Sequence, residues 1–584
     1  MSNINNLIDS IRRNFSLNKF DKFIHEINFP RFKNFAPGVK LNLRFPVTVL
    51  VGPNGGGKSS VLHAAWGMPL RSSTSRFWFS TPVDPMDFDS ENQNRYWYSH
   101  YIKELKQQVQ CRKMCGKKRH GYWEPTRPAQ KEFMDEMPAQ NDRNKKFMSG
   151  SGDRWNQVER TPLYINSKAE SSAFERVFYS LDSTTLEAKQ DSFVRYSRQL
   201  KTAIDGDLKS LQYYGRERIK NNHIISASQL AVINKILRKN YKSARYVVHS
   251  LYERNFSPSV IFETDRRTYS ECFAGSGELA VVNCVLALDK LKPFDLLLLD
   301  EPETSLHPGA QTMLLEHILT IVKDKMIQVI VSTHSPTFVE LLPVESLIVL
   351  DSSSDGIVAR AHPSKASAFH TLGHIDTSRL TIVTEDKLLE VLVERALNHL
   401  PRELARNVTV VGVEVGASEM LSNQVRAYAQ ADAKIVMVLD GDQSDIQKVI
   451  DIDPSSLSAI SAQENIDFLK DNNVSIVGTR QELDVWINWC KRHLVMIDQV
   501  CPEQLLLQLI VPDHSLLLDK SATNQKFKDA VKKALNKGGN DTDSKTQAAV
   551  FKYALGLEKE GSEVHAAVVA LAGKLQEKIK LIKG

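Results

Sequence analysis

Lys58 and Ser59 close the run Gly52-Pro-Asn-Gly-Gly-Gly-Lys-Ser59, which has the spacing G-x-x-x-x-G-K-S and follows the apolar, β-branched stretch Val47-Thr-Val-Leu-Val51. A glycine-rich turn between a strand and a helix wraps phosphates closely and aims backbone N–H groups at them, while the following helix presents its positive end. Asn54, Gly55, Gly57, Lys58, Ser59 and Ser60 are therefore the expected nucleotide-binding residues, with Lys58 reaching the β and γ phosphates and Ser59 ligating Mg²⁺. Far downstream, Phe294-Asp-Leu-Leu-Leu-Leu-Asp300-Glu301-Pro302 is a buried-strand run that ends in two carboxylates, the form of a Walker B strand. Asp300 is expected in the Mg²⁺ shell and Glu301 beside the attacking water.

Three further segments surround that acidic strand: Phe273-Ala-Gly-Ser-Gly-Glu278 before it, Glu303-Thr-Ser-Leu-His-Pro308 after it, and Thr333-His-Ser-Pro336 after the apolar run Ile327 to Val331. Together they resemble the signature motif, D-loop and switch histidine of an ABC-type ATPase head. The resemblance implies that Ser276 and Gly277 of one protomer cap the γ-phosphate held by the other protomer's P-loop, that His334 contacts the same phosphate, and that a homodimer or higher oligomer completes the ATP site. The signature differs from the common L-S-G-G form.

A second set of acids lies beyond the ATPase motifs. Leu380-Thr-Ile-Val-Thr384 leads into Glu385-Asp386, the strand Val408 to Val415 ends at Gly416, and Ile435-Val-Met-Val-Leu439 leads into Asp440-Gly-Asp442. Carboxylates at the C-terminal ends of adjacent parallel strands converge in one crevice, where they repel one another unless a divalent cation neutralises them. All-oxygen ligands favour Mg²⁺ or Mn²⁺, so Glu385, Asp440 and Asp442 are the expected catalytic and metal-binding group. The order of strand, acid, helix, strand, glycine, helix, strand and D-x-D resembles a Toprim domain. Asp386 stands where that family often has glycine, and Glu390, the nearest candidate for its second acid, is one residue off the usual spacing. Glu464, Asp467, Glu482, Asp484 and Glu503 remain alternatives for further ligands.

An ABC-type head followed by a Toprim domain is the arrangement of OLD-family (overcoming lysogenisation defect) endonucleases, and the resemblance covers about Ile27 to Ile510. It implies an ATP-gated, metal-dependent nuclease acting on DNA, commonly in bacterial defence against phage. The inserted segment and divergent Toprim motif resemble effectors encoded beside retron reverse transcriptases, which would add that enzyme and its RNA-linked DNA as partners. The alternatives are an ATPase whose Toprim domain only binds nucleic acid or a partner, a DNA-repair ATPase, and, from the head alone, a transporter subunit.

The elements needed to hold these residues follow from the pattern. The expected fold is α/β: an ABC-type P-loop head in two parts, 1–70 and 269–375, a mainly helical insertion at 71–268, an α/β Toprim domain at 376–515 and a basic helical region at 516–584. Within the insertion, helices are expected near Ser197 to Leu211 and Ser228 to Asn240. In the C-terminal region they are expected over Asn524 to Leu535 and Thr546 to Ile582, separated by Gly538-Gly539-Asn540, with Ala566, Val569, Leu571 and Leu575 as part of an apolar face. From Arg95 to Trp123 eight basic residues oppose only Glu104 and alternate with Tyr96, Trp97, Tyr98, Tyr101, Tyr122 and Trp123. That mixture suits backbone phosphates and base stacking, the alternative being a solvated surface helix. His100, Cys111, Cys115 and His120 match no standard zinc spacing closely, so ordinary thiols are the simpler expectation.

Composition sets the outer limits. In 584 residues, 42% are hydrophobic and 25% charged, which supports several cores and excludes a disordered or collagen-like chain. Of the net charge of +6, all is carried from Lys520 onward, where 13 Lys face 7 acidic residues. No apolar run approaches the roughly 20 residues a bilayer span needs, the N-terminus lacks a signal-peptide pattern, and six cysteines make no disulfide scaffold. A cytoplasmic protein without a membrane domain is expected.

Overall fold

The computed structural model describes residues 2–583 except 89–91, 118–119, 168–171, 181–184, 253–254, 354–355, 362–364, 366–367, 370–379, 407, 414–415, 431–433, 457, 477–478, 520 and 537–543. The chain divides into two compact units, Met1–Leu372 and Gly373–Gly584.

The first unit is built on a six-stranded sheet in the order Gly356–Ala361, Leu347–Ser353, Val47–Val51, Gln328–Thr333, Leu296–Asp300, Pro162–Asn166. All its pairings are parallel except that of the first two strands. The three central strands are buried at every position, as expected of parallel strands covered on both faces. Val61, Leu62, Leu279, Val282, Leu315 and Leu319, from the helices Lys58–Gly67, Ser276–Asp289 and Pro308–Lys325, join them in one core. The strand Gln328–Thr333 lies between the P-loop strand and the acidic strand, pairing Val51 with Thr333 on one side and Asp300 with Ser332 on the other. Three chemically distinct segments thus finish side by side at one end of the sheet.

Residues 71–268 are not mainly helical. Among the described residues they supply strands to four sheets of this unit: Pro162–Asn166 to the central sheet, three strands to an antiparallel sheet shared with Ile24–Arg31 and Val39–Asn42, three to a second antiparallel sheet completed by Thr268–Ser270, and the two-stranded pair Gln212–Tyr213 and Arg216–Glu217. Helices in this stretch are Ala173–Ser180, Leu186–Asp205 and Ala227–Leu237. The expected helix at Ser197 to Leu211 begins earlier because the Thr185 hydroxyl caps it by accepting from the Ala188 amide, 3.2 Å away. The other helix, expected over Ser228 to Asn240, starts one residue earlier at Ala227, after the capping box of Ser226 and Gln229, and ends at Leu237 because Arg238 takes the left-handed region.

The basic and aromatic run from Arg95 to Trp123 is neither a surface helix nor a stacking platform. It forms the hairpin Arg95–Ile102 and Gln107–Cys115, and Tyr96, Trp97, Tyr98 and Trp123 are buried. The Tyr98 hydroxyl donates to the Met68 carbonyl at 2.8 Å, and the Trp97 indole to the Glu132 carbonyl at 3.0 Å. Arg95 and Arg112 both pair with the buried Glu132, at 2.7 and 2.6 Å. Lys113 is buried too, its ammonium on the Ser72 carbonyl, and burial brings its pKa down to about 7. Lys103, Lys106 and Lys117 remain exposed, while Lys118 and Arg119 lie outside the described residues. The Cys111 thiol donates to the Asn156 carbonyl and that of Cys115 to the Gly121 carbonyl. Among the described residues, His100, Cys111, Cys115 and His120 do not gather as a metal-binding group.

The second unit carries a four-stranded, wholly parallel sheet in the order Val408–Gly412, Leu380–Thr384, Ile435–Leu439, Leu494–Met496. The strand expected to run to Val415 ends at Gly412, and residues 414–415 lie outside the described residues, as does the expected break at Gly538-Gly539-Asn540. The long helix expected over Thr546 to Ile582 is two, Ser544–Gly556 and Glu563–Lys583, parted by a turn in which Gly561 has φ 84°. The buried stripe of Glu563–Lys583 is Val564, Val568, Leu571, Ala572, Leu575 and Ile579, so Ala566 and Val569 face outward and the expected apolar face was phased wrongly at those positions. This stripe shares a core with Leu389 and Val393 of the helix Lys387–Leu397 and with Phe527 and Phe551.

Glu132→Ala is expected to destabilise the first unit by about 3 kcal/mol, because it strands two largely buried guanidinium groups. Chemical denaturation of the full chain measures this, and an unchanged midpoint would show that the pairs add nothing.

Candidate functional site

Two clusters of polar groups form at the ends of the two parallel sheets. In the first unit the loop after Val47–Val51 turns into its helix through Gly57, whose φ of 81° is left-handed and whose Cβ, if present, would lie 2.8 Å from the Phe35 ring. Lys58 is buried and donates to the carbonyls of Gly52 and Pro53 at 2.8 and 2.9 Å. One cavity is lined by the loop Asn54–Ser60 together with Lys33, Asn34, Trp78, Glu301 and Ile357. The expected nucleotide-binding residues Asn54, Gly55, Gly57, Lys58, Ser59 and Ser60 are therefore gathered around one space with Glu301. Ser276, exposed, and Gly277 start their own helix and do not line that cavity.

Asp300 is buried at the end of its strand. It accepts from the Ser59 hydroxyl at 3.2 Å, from Tyr164 at 2.7 Å and from Ser332. Glu301 takes a left-handed φ of 49°, unusual for a residue with a side chain, and its amide donates to the Ser332 carbonyl at 3.0 Å. That turn brings its carboxylate to 3.7 Å from Nε2 of His334. The His334 amide donates to Glu303 at 2.7 Å, and burial raises the Glu303 pKa. The donor set around Ser59 and Asp300 fits a hydrated Mg²⁺: a hydroxyl and a carboxylate in contact, beside a phosphate-shaped loop.

Sequence reasoning missed several neighbours of this site. Lys33 donates to the Ser60 hydroxyl at 3.1 Å and lies 5.1 Å over the Trp78 ring, and burial lowers its pKa to about 8. Tyr164 reaches Asp300 from the sheet edge. No spacing rule links these residues to the P-loop, because only the packing of distant strands makes them adjacent.

In the second unit Glu385 follows Leu380–Thr384 and Asp440 follows Ile435–Leu439, at the C-terminal ends of paired parallel strands. Asp440 is 1% exposed, Glu385 is half-buried and Asp442 is exposed, so the acids run from the interior outward. A Cβ at Gly441 would lie 2.7 Å from the Ile497 carbonyl and closer still to that of Gln499, so the turn between the two aspartates has room only for glycine. Asn524 donates to both Asp440 and Asp442, at 3.3 and 3.0 Å. Oδ1 of Asp440 and Oε2 of Glu503 are buried without a hydrogen-bond partner.

Burial and then the neighbouring acids push Glu385 up to about 8 and Asp440 up to about 10. Glu503, at the start of the helix Pro502–Ile510, is raised by burial and by Asp386, and Lys528 is raised by Glu503, Asp386 and Asp440 against its own burial. Of the five acids left open by sequence, Glu503 alone acts electrostatically on Asp440. Glu390 instead accepts from the Gly412 amide at 3.1 Å, and Asp386 caps the helix Lys387–Leu397 through the Leu389 amide. The orphaned oxygens and the raised Glu385, Asp440 and Glu503 suit divalent cations at this crevice, and an ion shared by several of the acids requires them to draw closer, since among the described residues no three of them bring ligand atoms within 4.8 Å of one another. Asn524 and Lys528, one turn apart on the helix Asn524–Leu535, are unmarked in the sequence.

The family described as "AAA domain, putative AbiEii toxin, Type IV TA system" matches residues 47–340, half of the chain. The chain belongs to that family. Its first unit is accordingly an AAA-type ATPase with a P-loop. Among solved structures, the SMC head domain from Thermotoga maritima is 13% identical and has a TM-score of 0.29, covering 58% of this chain and 98% of that one. The Smc head domain with an extended coiled coil bound to the C-terminal domain of ScpA, derived from Pyrococcus furiosus, is 13% identical with a TM-score of 0.33, covering 58% and 96%. The Smc head domain with a coiled coil and joint from Pyrococcus yayanosii is 12% identical with a TM-score of 0.33, covering 60% and 99%. The comparison with curated proteins finds no match. No helix among the described residues is long and apolar enough to cross a membrane.

The acid cluster gives a pH dependence of definite sign. Folding raises the Glu385 and Asp440 pKa values, so the metal-free folded chain holds protons that the unfolded chain loses near pH 4. Stability without metal should fall as pH rises from about 4 to about 10, and Mg²⁺ should restore it most at the upper end. Thermal melts with chelator or Mg²⁺ check this, and Asp440→Asn should flatten the slope.

Proposed function

We propose that the chain is an ATP-gated, divalent-metal-dependent nuclease that cuts DNA, with the AAA-type ATPase as the gate and the acid crevice of the second unit as the cutting site. The observation that carries it is the pair Glu385 and Asp440 at the ends of adjacent parallel strands, with Asp442 and Glu503 acting electrostatically on Asp440 and with buried, unpartnered oxygens on Asp440 and Glu503. The resemblance to a Toprim domain, and of the whole arrangement to OLD-family endonucleases, supports the same conclusion.

At the crevice the four acids would hold Mg²⁺ or Mn²⁺, which would supply charge neutralisation at the attacking and leaving oxygens of the phosphodiester. Asn524 fixes the carboxylates of Asp440 and Asp442 through its two hydrogen bonds. Lys528, a cation at the edge of an otherwise anionic group, meets the scissile phosphate and balances charge there. In the ATPase, Asn54, Gly55, Gly57, Lys58 and Ser60 would cradle the phosphates, and Ser59 with Asp300 would hold Mg²⁺. Glu301 would orient the attacking water, and His334 would contact the γ-phosphate. Ser276 and Gly277 of a second copy complete the site, which makes nucleotide binding and dimerisation one equilibrium. Because Ser276 is exposed and outside the P-loop cavity, it is presented for such a contact.

The toxin named in the family description supports a role in bacterial antiviral defence. The proposed partners are nucleic acid, a second copy and, by the resemblance to retron effectors, a reverse transcriptase with its RNA-linked DNA. One observation favours a second reading, in which the crevice binds nucleic acid without cutting it: Lys528 already places a positive charge among the acids.

Cleavage of supercoiled plasmid and single-stranded DNA, with Mg²⁺ or Mn²⁺ and with or without ATP, separates the two. Asp440→Ala should abolish cutting while sparing ATP binding; undiminished cutting by this variant would exclude the crevice, and absence of cutting by the wild type would favour binding alone. Glu301→Ala should slow ATP turnover by about a hundredfold or more and accumulate the ATP-bound dimer. Unchanged turnover would remove Glu301 from its role with the attacking water.

A further inference from the structure

His399, Glu558 and His565 come together in the second unit, apart from the acids assigned above. His399 lies just after the helix Lys387–Leu397, Glu558 lies in the turn that follows Ser544–Gly556, and His565 is in the first turn of Glu563–Lys583. One ligand atom from each falls within 4.8 Å of the other two. Nδ1 of His565 is 3.5 Å and Nε2 of His399 3.9 Å from Oε1 of Glu558, and the two imidazole rings stand nearly perpendicular at 76°. Bonds of about 2.0–2.1 Å around a tetrahedral zinc ion separate its ligand atoms by about 3.3 Å, so the two gaps to Oε1 need close only by tenths of an ångström, with the imidazole nitrogens within 4.8 Å of each other.

The carboxylate is prepared for a further bond. The Glu558 side chain is 1% exposed, and Arg395 donates twice to its Oε1, at 3.2 and 3.0 Å. Oε2 is buried and has no hydrogen-bond partner. A buried carboxylate oxygen left in this state costs free energy that a bound cation would recover. The two histidines, a quarter exposed, form the rim through which an ion could enter. Arg395 donates to the same Oε1 that the two imidazoles face, as an outer partner that orients a ligating carboxylate, and the second oxygen is left free of hydrogen bonds.

We propose that His399, Glu558 and His565 form a binding site for a divalent transition-metal ion of the zinc class, distinct from the Mg²⁺-type crevice. Two imidazoles and one carboxylate suit zinc better than the all-oxygen acids do. The ion ties the turn between the last two helices to the end of Lys387–Leu397, the helix whose other end starts beside Glu385. It acts as a structural clasp on the C-terminal helices.

The test uses the full chain stripped with chelator and titrated with Co²⁺, whose visible absorption reports tetrahedral coordination, followed by displacement with Zn²⁺. Wild type and Asp440→Ala should both bind one equivalent with tetrahedral bands, since the crevice is not involved. His565→Ala and His399→Gln should lose those bands or weaken binding by more than about tenfold, with circular dichroism unchanged. His399 lies at an exposed helix end, so its variant remains informative should His565→Ala fail to fold. Absence of tetrahedral bands in the wild type, or bands unaffected by both histidine variants, would overturn the proposal.

Discussion

Three hydroxyls from three separate stretches of chain, Ser59, Tyr164 and Ser332, meet on the single carboxylate of Asp300. They come from the helix after the P-loop, the edge strand and the strand between P-loop and acid, so the bonds can form only when the parallel sheet is in register. A buried carboxylate without such partners would be costly, and with them it remains an acceptor set beside the phosphate loop. The left-handed turn at Glu301 follows directly, because the chain must leave the strand at once for the next residue to reach the cavity.

The second unit meets the same constraint with a different outcome. Its acids also emerge from the ends of parallel strands, but the groups that answer them are mostly other acids, with Asn524 and Lys528 supplied by a helix from the C-terminal region. Asp300 is already satisfied by hydroxyls, whereas Asp440 keeps an orphaned oxygen and a raised pKa. That contrast separates a carboxylate satisfied by hydroxyls from one left with an unpartnered oxygen among other acids.

The C-terminal helices are therefore more than a charged appendage. Their apolar stripe completes the core beneath the acid crevice, and Asn524 stands at the start of one of them. Removing that region would expose the core and unbind Asp442 together, which couples the integrity of the crevice to residues that carry no motif.

The sequence by itself determined the parts whose chemistry is local. A phosphate loop needs its glycines, lysine and serine in one short run, and a strand that ends in acid announces both the strand and the acid, so Lys58, Ser59, Asp300, Glu301, Glu385, Asp440 and Asp442 were all legible. Tertiary structure alone decided what lies opposite them. Lys33, Tyr164, Glu503, Asn524 and Lys528 sit tens to hundreds of residues from the groups they face, and no periodicity encodes such a meeting. It also decided the fate of the Arg95–Trp123 stretch, since charge and aromatic content there are the same whether the residues face water or a core. Glu132, distant in sequence from Arg95 and Arg112, neutralises both, and that makes the buried position affordable.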